Sequence, residues 1–359
     1  MTQPDWLART LVAWFDDHGR HDLPWQADKT PYRVWVSEIM LQQTQVRTVI
    51  PYFERFTSRF PDTASLANAD QDEVLHYWTG LGYYARGRNL HRASRMIRDE
   101  LGNVFPSTLQ ALRQLPGVGR STAGAIAAIA FDQPSPILDG NVKRVLSRFH
   151  AVPGYPGERA VERKLWRLAE SHTYPRRIAA YTQAIMDLGA TLCTRANPDC
   201  DACPLQDGCE ARRMNAQAQF PAPRPKRIRP HKEVTAFVLV DPDAACLLEK
   251  RPEQGIWGGL WCPPERASDV SVESFLDHHG IGMADVQRIE RAPTLHHGFT
   301  HFSMDVRPVY IWLARHPCLA PNDDTLCWYH PRSTNQILGL SAVAVKLLDC
   351  VSNAEFALT

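Results

Sequence analysis

The stretch FPAPRPKRIRPHKEV, residues 220–234, sets four prolines and a run of basic side chains between two regions of different periodicity. Proline fixes φ and removes a backbone donor, so neither a helix nor a central strand runs through such a segment. It reads as an extended linker. Upstream, from residue 5 to about residue 190, apolar residues recur at helical spacing. The pattern predicts helices over 6–18, 31–46, 48–58, 70–78, 86–100, 108–114, 121–131, 141–149, 158–170 and 175–190. Thr30 before Pro31 is an N-cap followed by proline at the first helical position. Downstream, VTAFVLV (234–240), CLLEKR (246–251) and MDVRPVYIWLA (304–314) read as strands, with helices near 271–279 and 334–350. The expected organisation is a mainly helical domain over 1–215, a linker over 216–231 and an α+β domain over 232–359.

A chain of 359 residues with 44% hydrophobic side chains can build two cores. No apolar run approaches the ~18 residues of a membrane span, and MTQPDWLART is not a secretory signal, so a cytoplasmic protein is expected. The net charge of +1 conceals an asymmetry: residues 1–230 carry 30 Lys and Arg against 23 Asp and Glu, and residues 231–359 carry 10 against 16. The basic surplus suits a phosphate-binding surface, and equally a chance difference between domains.

LPGVGRSTAG, residues 115–124, is a turn with two glycines leading into a small-residue helix. Gly117 and Gly119 allow backbone angles and close approaches that other residues do not. Leu112, Leu115 and Val118 are spaced to anchor the turn. Backbone N–H groups at a helix start attract an anion and carry no base code, which fits a DNA phosphate gripped without regard to sequence. A plain helical corner has the same pattern.

Two carboxylates are candidates for chemistry. In PYRVWVSEIMLQQTQV (31–46), Glu38 shares a helix side with Val34, Trp35, Leu41 and Gln42. Apolar surroundings raise a carboxyl pKa. At pH 7 an ordinary Glu is about 0.2% protonated, whereas one raised to roughly 6–7 is about 10–50% protonated, as a general acid requires. A Glu at a face boundary simply reaches solvent. Asp139, in ILDGNVKRV (137–145), precedes a helix and is either an N-cap or a fixed anion facing a sugar cation.

Nine cysteines are present, and Cys193, Cys200, Cys203 and Cys209 crowd together as C-x6-C-x2-C-x5-C. In a reducing compartment a metal is the expected use, and the spacing alone leaves zinc and an iron–sulfur cluster both open.

The hairpin turn resembles the helix-hairpin-helix motif of DNA repair glycosylases. Together with SEIMLQQTQV, WTGLGYYARGRNL (78–90), LDGNVKR and the cysteine spacing, the chain from about residue 23 to Cys209 resembles the MutY family of adenine DNA glycosylases. The resemblance implies a helix-hairpin-helix glycosylase fold (hairpin about 108–131) with a [4Fe–4S] loop over 193–209, structural in role, and a monomer acting on double-stranded DNA with A:8-oxoguanine or A:G mispairs. By this resemblance Glu38 protonates N7 of adenine and later helps activate water. Asp139 stabilises the sugar cation, a covalent sugar adduct being open to it, and Asn141 supports it.

Ser121 stands where the related endonuclease III enzymes carry a lysine that forms a Schiff base. A hydroxyl forms no imine, so a monofunctional glycosylase leaving an abasic site is expected. The target base must be flipped out of the stack. Gln42, Gln43, Leu81, Tyr83 and Tyr84 are candidates to fill the gap, Gln43 and Tyr83 foremost. Arg195 and the row Arg86, Arg88, Arg92, Arg95 and Arg98 are candidate phosphate contacts.

Residues 232–350 resemble the family's Nudix-like domain, with RPEQGIWGGLW (251–261) as the shared entry loop. DVSVESFLDHHGIG lacks the glutamate-rich helix of the hydrolases, so a lesion reader is expected rather than a pyrophosphatase. HHGFTHF (296–302) matches the family's lesion-sensing loop: Phe299 as a wedge, Thr300 hydrogen-bonding near N7–H or O8 of 8-oxoguanine, His301 in support. His296 and His297 have no Cys or carboxylate at sequence spacing to complete a metal site. The alternatives are an endonuclease III-like lyase, which Ser121 opposes, and a non-catalytic damage binder, which Glu38 and Asp139 oppose.

Overall fold

The computed structural model describes residues 4–225, 229–317, 324–333 and 336–354. Cys318 and residues 334 and 335 of the expected 334–350 helix lie outside them. The chain divides into two units, Met1–Asn68 with Asn89–Lys226, and Ala69–Arg88 with Arg227–Thr359. Residues 69–88, inside the expected 1–215 domain, therefore group with the C-terminal unit.

The first unit is helical: α1 (Pro4–His18), α2 (Pro24–Ala27), α3 (Pro31–Leu41), α4 (Val46–Arg59) and α5 (Thr63–Asn68), then after the excursion into the second unit α8 (Leu109–Leu112), α9 (Arg120–Phe131), α10 (Gly140–Phe149), α11 (Arg159–His172), α12 (Ile178–Thr191) and α13 (Glu210–Arg213). Between the two sets, α6 (Gln71–Trp78) belongs to the second unit, and α7 (Ala85–Glu100) carries the chain back. Thr30 Oγ1 accepts the Arg33 N–H and Pro31 opens α3, as its sequence predicts. The helix stops at Leu41 rather than residue 46, because Gln43 takes a left-handed φ of 60° that a helix cannot continue through.

The core of this unit is α3, α9 and α12 packed together, with α1 and α10 against α12. Ala123 to Ile129 of α9 are all buried, which explains a helix made almost wholly of Ala, Gly and Ile. Gly124 lets the 136–139 segment pass close by: a Cβ there would meet the Pro136 carbonyl oxygen at 2.4 Å. Gly189 does the same for α10, since its Cβ would meet Asn141 Cβ at 2.6 Å. Small residues in the core thus bring Asp139 and Asn141 to their places.

The second unit is built on a sheet of eight strands: β1 (His231–Val240), β2 (Cys246–Lys250), β3 (Trp261–Cys262), β4 (Glu265–Ala267), β5 (Val286–Arg291), β6 (Leu295–Gly298), β7 (Ser303–Leu313) and β8 (Leu326–Tyr329). The main order is β3-β2-β1-β7-β5, with β4 on β1, β6 on β7 and β8 on β2. β1 and β7 pair in parallel, Glu233 opposite Asp305 and Phe237 opposite Val309, and the other strand pairs among the described residues are antiparallel. Besides α6, the described residues of this unit form α14 (Val272–His278) and α15 (Ala342–Ala354). Phe237, Leu239, Val309 and Ile311 pack on Phe275 and Leu276 of α14, with the Phe237 and Phe275 rings stacked at 4.2 Å. The alternate residue Tyr310 donates to the Leu347 carbonyl of α15. A sheet buried on both faces explains the unbroken apolar run from Ala236 to Val240.

The linker expectation needs two corrections. Phe220 is anchored, its carbonyl accepting from Arg148 Nε at 2.9 Å, and β1 already begins at His231. The last helix begins at Ala342, because residues 336–341 run extended beside β3, where the Gly339 carbonyl accepts from Trp261 N–H. Segment 69–88 is tied into the same unit: Asp72 takes Lys250 Nζ at 2.9 Å and Trp261 Nε1 at 3.2 Å, and the Tyr84 hydroxyl donates to the Leu340 carbonyl at 3.1 Å. No helix among the described residues is long and apolar enough to cross a membrane.

Candidate active site

Glu38, from the last turn of α3, and Asp139, the N-cap of α10, line one cavity of about 870 Å³ in the first unit. Gln42, Gln43, Ser121, Asn141 and Arg195 line it too. Sequence reading alone placed these seven residues on four separate segments; the fold brings them to one space.

The two carboxyls differ in what surrounds them. Val34 and Trp35, one turn before Glu38, are fully buried. Burial first, and the Asp139 charge second, push the Glu38 carboxyl up to about 8. Burial also raises Asp139, but the backbone N–H groups of Val142 and Asn141, the Arg144 charge and the Asn141 amide all oppose it. Asp139 Oδ1 accepts from Val142 N at 2.8 Å, and Oδ2 from Asn141 Nδ2 at 3.3 Å. Asp139 thus has donors that favour its anion, whereas burial and the nearby negative charge favour the protonated form of Glu38. Asp139 is both the N-cap and a carboxylate of the cavity; the two sequence readings are not exclusive.

Support for Asp139 continues outward. Asn141 Oδ1 accepts from Arg144 Nη2 at 2.8 Å, and Arg144 Nε donates to the Cys193 carbonyl at 2.6 Å. One turn on, Arg148 donates to the Thr194 carbonyl at 2.6 Å and to Cys193 Sγ at 3.4 Å. The cysteine loop and the cavity thus share α10 as a brace. Cys193, Cys200, Cys203 and Cys209 line a second, apolar pocket with Leu188, Leu192 and Leu205. Burial, with the other three cysteines adding, pushes the Cys203 thiol up to about 12. The Ser121 hydroxyl accepts the Leu138 N–H at 2.9 Å and so fixes the residue before Asp139.

In the hairpin, Leu112, Leu115 and Val118 are buried, as their spacing predicts. Gly117 takes φ +80°, with Asn89 Cβ only 2.9 Å from where a Cβ would stand. Gly119 is different: it is an extended N-cap with nothing within 4 Å of that position, so it leaves the start of α9 open rather than supplying a special angle. The arginine row is only partly a free basic face: Arg92 and Arg95 are exposed, whereas the rest is engaged within the fold. Arg86 is buried over the Trp78 and Tyr83 rings, Arg88 bonds the Gly258 carbonyl, Arg92 bonds Asn89 and Arg98 bonds Asp99 and Asn68. Long side chains prefer these carbonyl and ring partners within the fold, which helical spacing cannot reveal.

In the second unit Leu81 and Tyr84 are buried, while Tyr83, at φ 48°, is 44% exposed. Of the three, only Tyr83 stands out into solvent. Phe299, Thr300 and His301 form the turn between β6 and β7, closed by Phe299 N–H to the Phe302 carbonyl at 2.9 Å. Thr300 and His301 are exposed. Phe299 is not a projecting wedge here: its ring stacks on Phe302 at 4.2 Å and lies 5.5 Å from Trp257. Trp25, Gln183, Met186 and Asp187 also line the first-unit cavity, and no local motif marks them. Asp187, fully buried, holds Arg20 through its backbone N–H at 2.8 Å and its Nε at 2.9 Å.

A helical hairpin unit enclosing paired carboxylates, joined to a sheet unit, defines a class that the comparisons confirm. Residues 36–171 match the HhH-GPD superfamily of base excision DNA repair proteins, and residues 235–350 match the NUDIX domain. A thermostable thymine-DNA glycosylase structure superposes with TM-score 0.52 at 23% identity, over 59% of this chain and 97% of its own. An adenine DNA glycosylase of Buchnera aphidicola (Schizaphis graminum) is 37% identical over 96% of this chain and 98% of its own length. The human adenine DNA glycosylase is 46% identical over 59% of this chain and 40% of its own. The chain belongs to the adenine DNA glycosylase family, and is thereby a DNA N-glycosylase of base excision repair.

Proposed function

We propose that this enzyme hydrolyses the glycosidic bond of adenine mispaired with 8-oxoguanine or guanine in duplex DNA, leaving an abasic site. The observation that carries the reading is the shared cavity of Glu38 and Asp139, in which burial pushes the Glu38 carboxyl up to about 8. Glu38 gives its proton to N7 of the everted adenine. The bonding pair leaves with the base, and the oxocarbenium sugar faces the Asp139 carboxylate. Water adds to the anomeric carbon, and its proton returns to Glu38. The Gln183 amide, whose Oε1 already accepts from Gln26 at 3.3 Å, offers a donor and acceptor to an adenine edge.

Two further observations favour the finer reading. The cavity is lined by arginines but by no lysine among the described residues, so no amine stands ready to form an imine. Thr300 and His301 are exposed at a hairpin tip, where their side chains are free to hydrogen-bond a base edge. For the cysteines, the C-x6-C-x2-C-x5-C spacing and the gathering of Cys193, Cys200, Cys203 and Cys209 around one apolar pocket support a [4Fe–4S] cluster held by these four. That group would brace the loop that Arg144 and Arg148 join to the site.

The test is incubation with an A:8-oxoguanine duplex followed by alkali. Cleavage at the adenine, with no borohydride-trapped adduct, is expected. An intact adenine strand overturns the proposal, and a trapped adduct overturns its hydrolytic part.

A further inference from the structure

His296 and His297 play no part in the glycosylase reading, and sequence spacing gives them no metal-binding companions. Strand register supplies what spacing does not. His296 on β6 lies opposite Asp305 on β7, and Asp305 lies opposite Glu233 on β1. His231, two residues before Glu233, shares its face by strand alternation and sits opposite Ser303. Two parallel strands, β1 and β7, therefore bring a histidine, a glutamate and an aspartate to one point, with ligating atoms of His231, Glu233 and Asp305 all within 4.8 Å of one another, and β6 adds His296 beside them. His231 Nε2 is 3.4 Å from Asp305 Oδ2 and 4.0 Å from Glu233 Oε1. Bonds of about 2.0–2.1 Å in tetrahedral array set ligand atoms about 3.3–3.4 Å apart, so a small inward shift of Glu233 suffices.

Each ligand's other atom is already engaged. His231 Nδ1 is 3.0 Å from Ser303 Oγ, Asp305 Oδ1 takes His296 Nδ1 at 2.6 Å, and Glu233 Oε2 takes Arg307 Nη2 at 2.6 Å. Metal ligands are oriented by outer partners of this kind. A second group, Asp241, Asp243 and His316, gathers within the same distance, but there His316 faces Asp241 with one ring nitrogen and Asp243 with the other, each at 3.2 Å, so that both its nitrogens are turned to carboxylates. We propose that His231, Glu233 and Asp305 bind one divalent transition metal ion, with water completing its shell and His296 orienting Asp305. The ion would fasten the β6–β7 hairpin, which carries Phe299, Thr300 and His301, to β1.

The test is zinc uptake by the full-length, chelator-washed protein, followed by calorimetry and metal analysis, beside Asp305→Asn and His231→Ala. The parent should hold one zinc ion more than either variant, and an equal concentration of magnesium should not displace it. The cysteines are common to all three proteins, so zinc bound there cancels. Circular dichroism in chelator checks folding, and Glu233→Gln replaces any variant that fails it. Equal zinc in parent and variants overturns the proposal, leaving an ion-pair cluster held by protons; displacement by magnesium overturns the transition-metal assignment. Neither measurement involves DNA, so the proposal fails or stands independently of the glycosylase reading.

Discussion

Two pairs of carboxylates in this protein have been given opposite surroundings. Glu38 and Asp139 sit in a protein-lined cavity, where burial raises both and the Asp139 charge raises Glu38 further. Glu233 and Asp305 sit on an open sheet face among His231, His296 and Arg307, and the His296 hydrogen bond, ahead of every other influence, holds Asp305 below the usual carboxylate range. The same chemical group stores a proton in one place and remains an anion in the other. What decides is whether the neighbours are apolar surface and a second acid, or donors and cations.

The largest test of that contrast is Glu38→Gln. Removing the acid should slow base release by about 10²–10⁴-fold, a general acid's usual contribution, while duplex binding persists in a gel-shift assay. It should also stabilise the protein. Glu38 moves from an ordinary 4.5 to about 8, so below pH 4.5 it is protonated folded or unfolded and has no effect. Between pH 4.5 and 8 the unfolded chain ionises first, and the cost to folding grows as pH rises. At pH 7 the substitution should recover up to about 3 kcal/mol, read from denaturant unfolding. A variant no more stable than the parent at pH 7, or one that keeps full turnover, breaks the assignment.

Asp139→Asn sharpens the coupling within the pair. Parent activity should fall as pH rises through about 8, where Glu38 loses its proton. The Asp139 charge is the second cause of that raised value, so the variant, besides a large loss of rate, should show its alkaline fall at lower pH. An unmoved alkaline limb in single-turnover kinetics would show that the two carboxyls do not sense each other.

What could be read from the chain before folding was local. Thr30-Pro31, the Glu38 helix side, the anchored LPGVG turn and the cysteine spacing each lie within about 17 consecutive residues; the cap and the turn formed as their patterns indicated, Glu38 faces the cavity, and the four cysteines line one pocket. What was missed is non-local. β3, β4, β5, β6 and β8 run only two to six residues, too short for a period to declare itself. Trp25, Gln183 and Asp187 reach the cavity from α2 and α12 without a motif. The carboxylate beside His296 is nine residues on and its next neighbour is on β1, a relation that exists only in the register of paired strands. Segment 69–88 reads as one more helix of the first domain because its partners, Lys250, Trp261 and Leu340, lie some 180 or more residues away.

The cavity pair also depends on close packing that the sheet-face pair does not need. Gly189→Ala places a methyl 2.6 Å from Asn141 Cβ and 3.1 Å from its backbone, against a helix that cannot yield as a side-chain tip would. A cost of about 1–3 kcal/mol is expected, with base release reduced more than duplex binding, because Asn141 supports Asp139. An alanine variant that melts with the parent would show that α10 shifts freely and that its placement is not fixed by α12.

Ser121→Ala should give the smallest effect and the finest reading. The hydroxyl accepts the Leu138 N–H, and Leu138 is buried, so alanine leaves a backbone donor without its partner at a cost of about 1–3 kcal/mol or less if water enters from the cavity. Because the lost bond lies one residue before Asp139, the variant should lower the single-turnover rate by a few fold while leaving the alkaline fall near 8 in place. That combination separates placement of the anion from storage of the proton. A variant that shifted the alkaline limb instead would mean that Ser121 acts on Glu38, and that the two carboxyls are not held by separate parts of the fold.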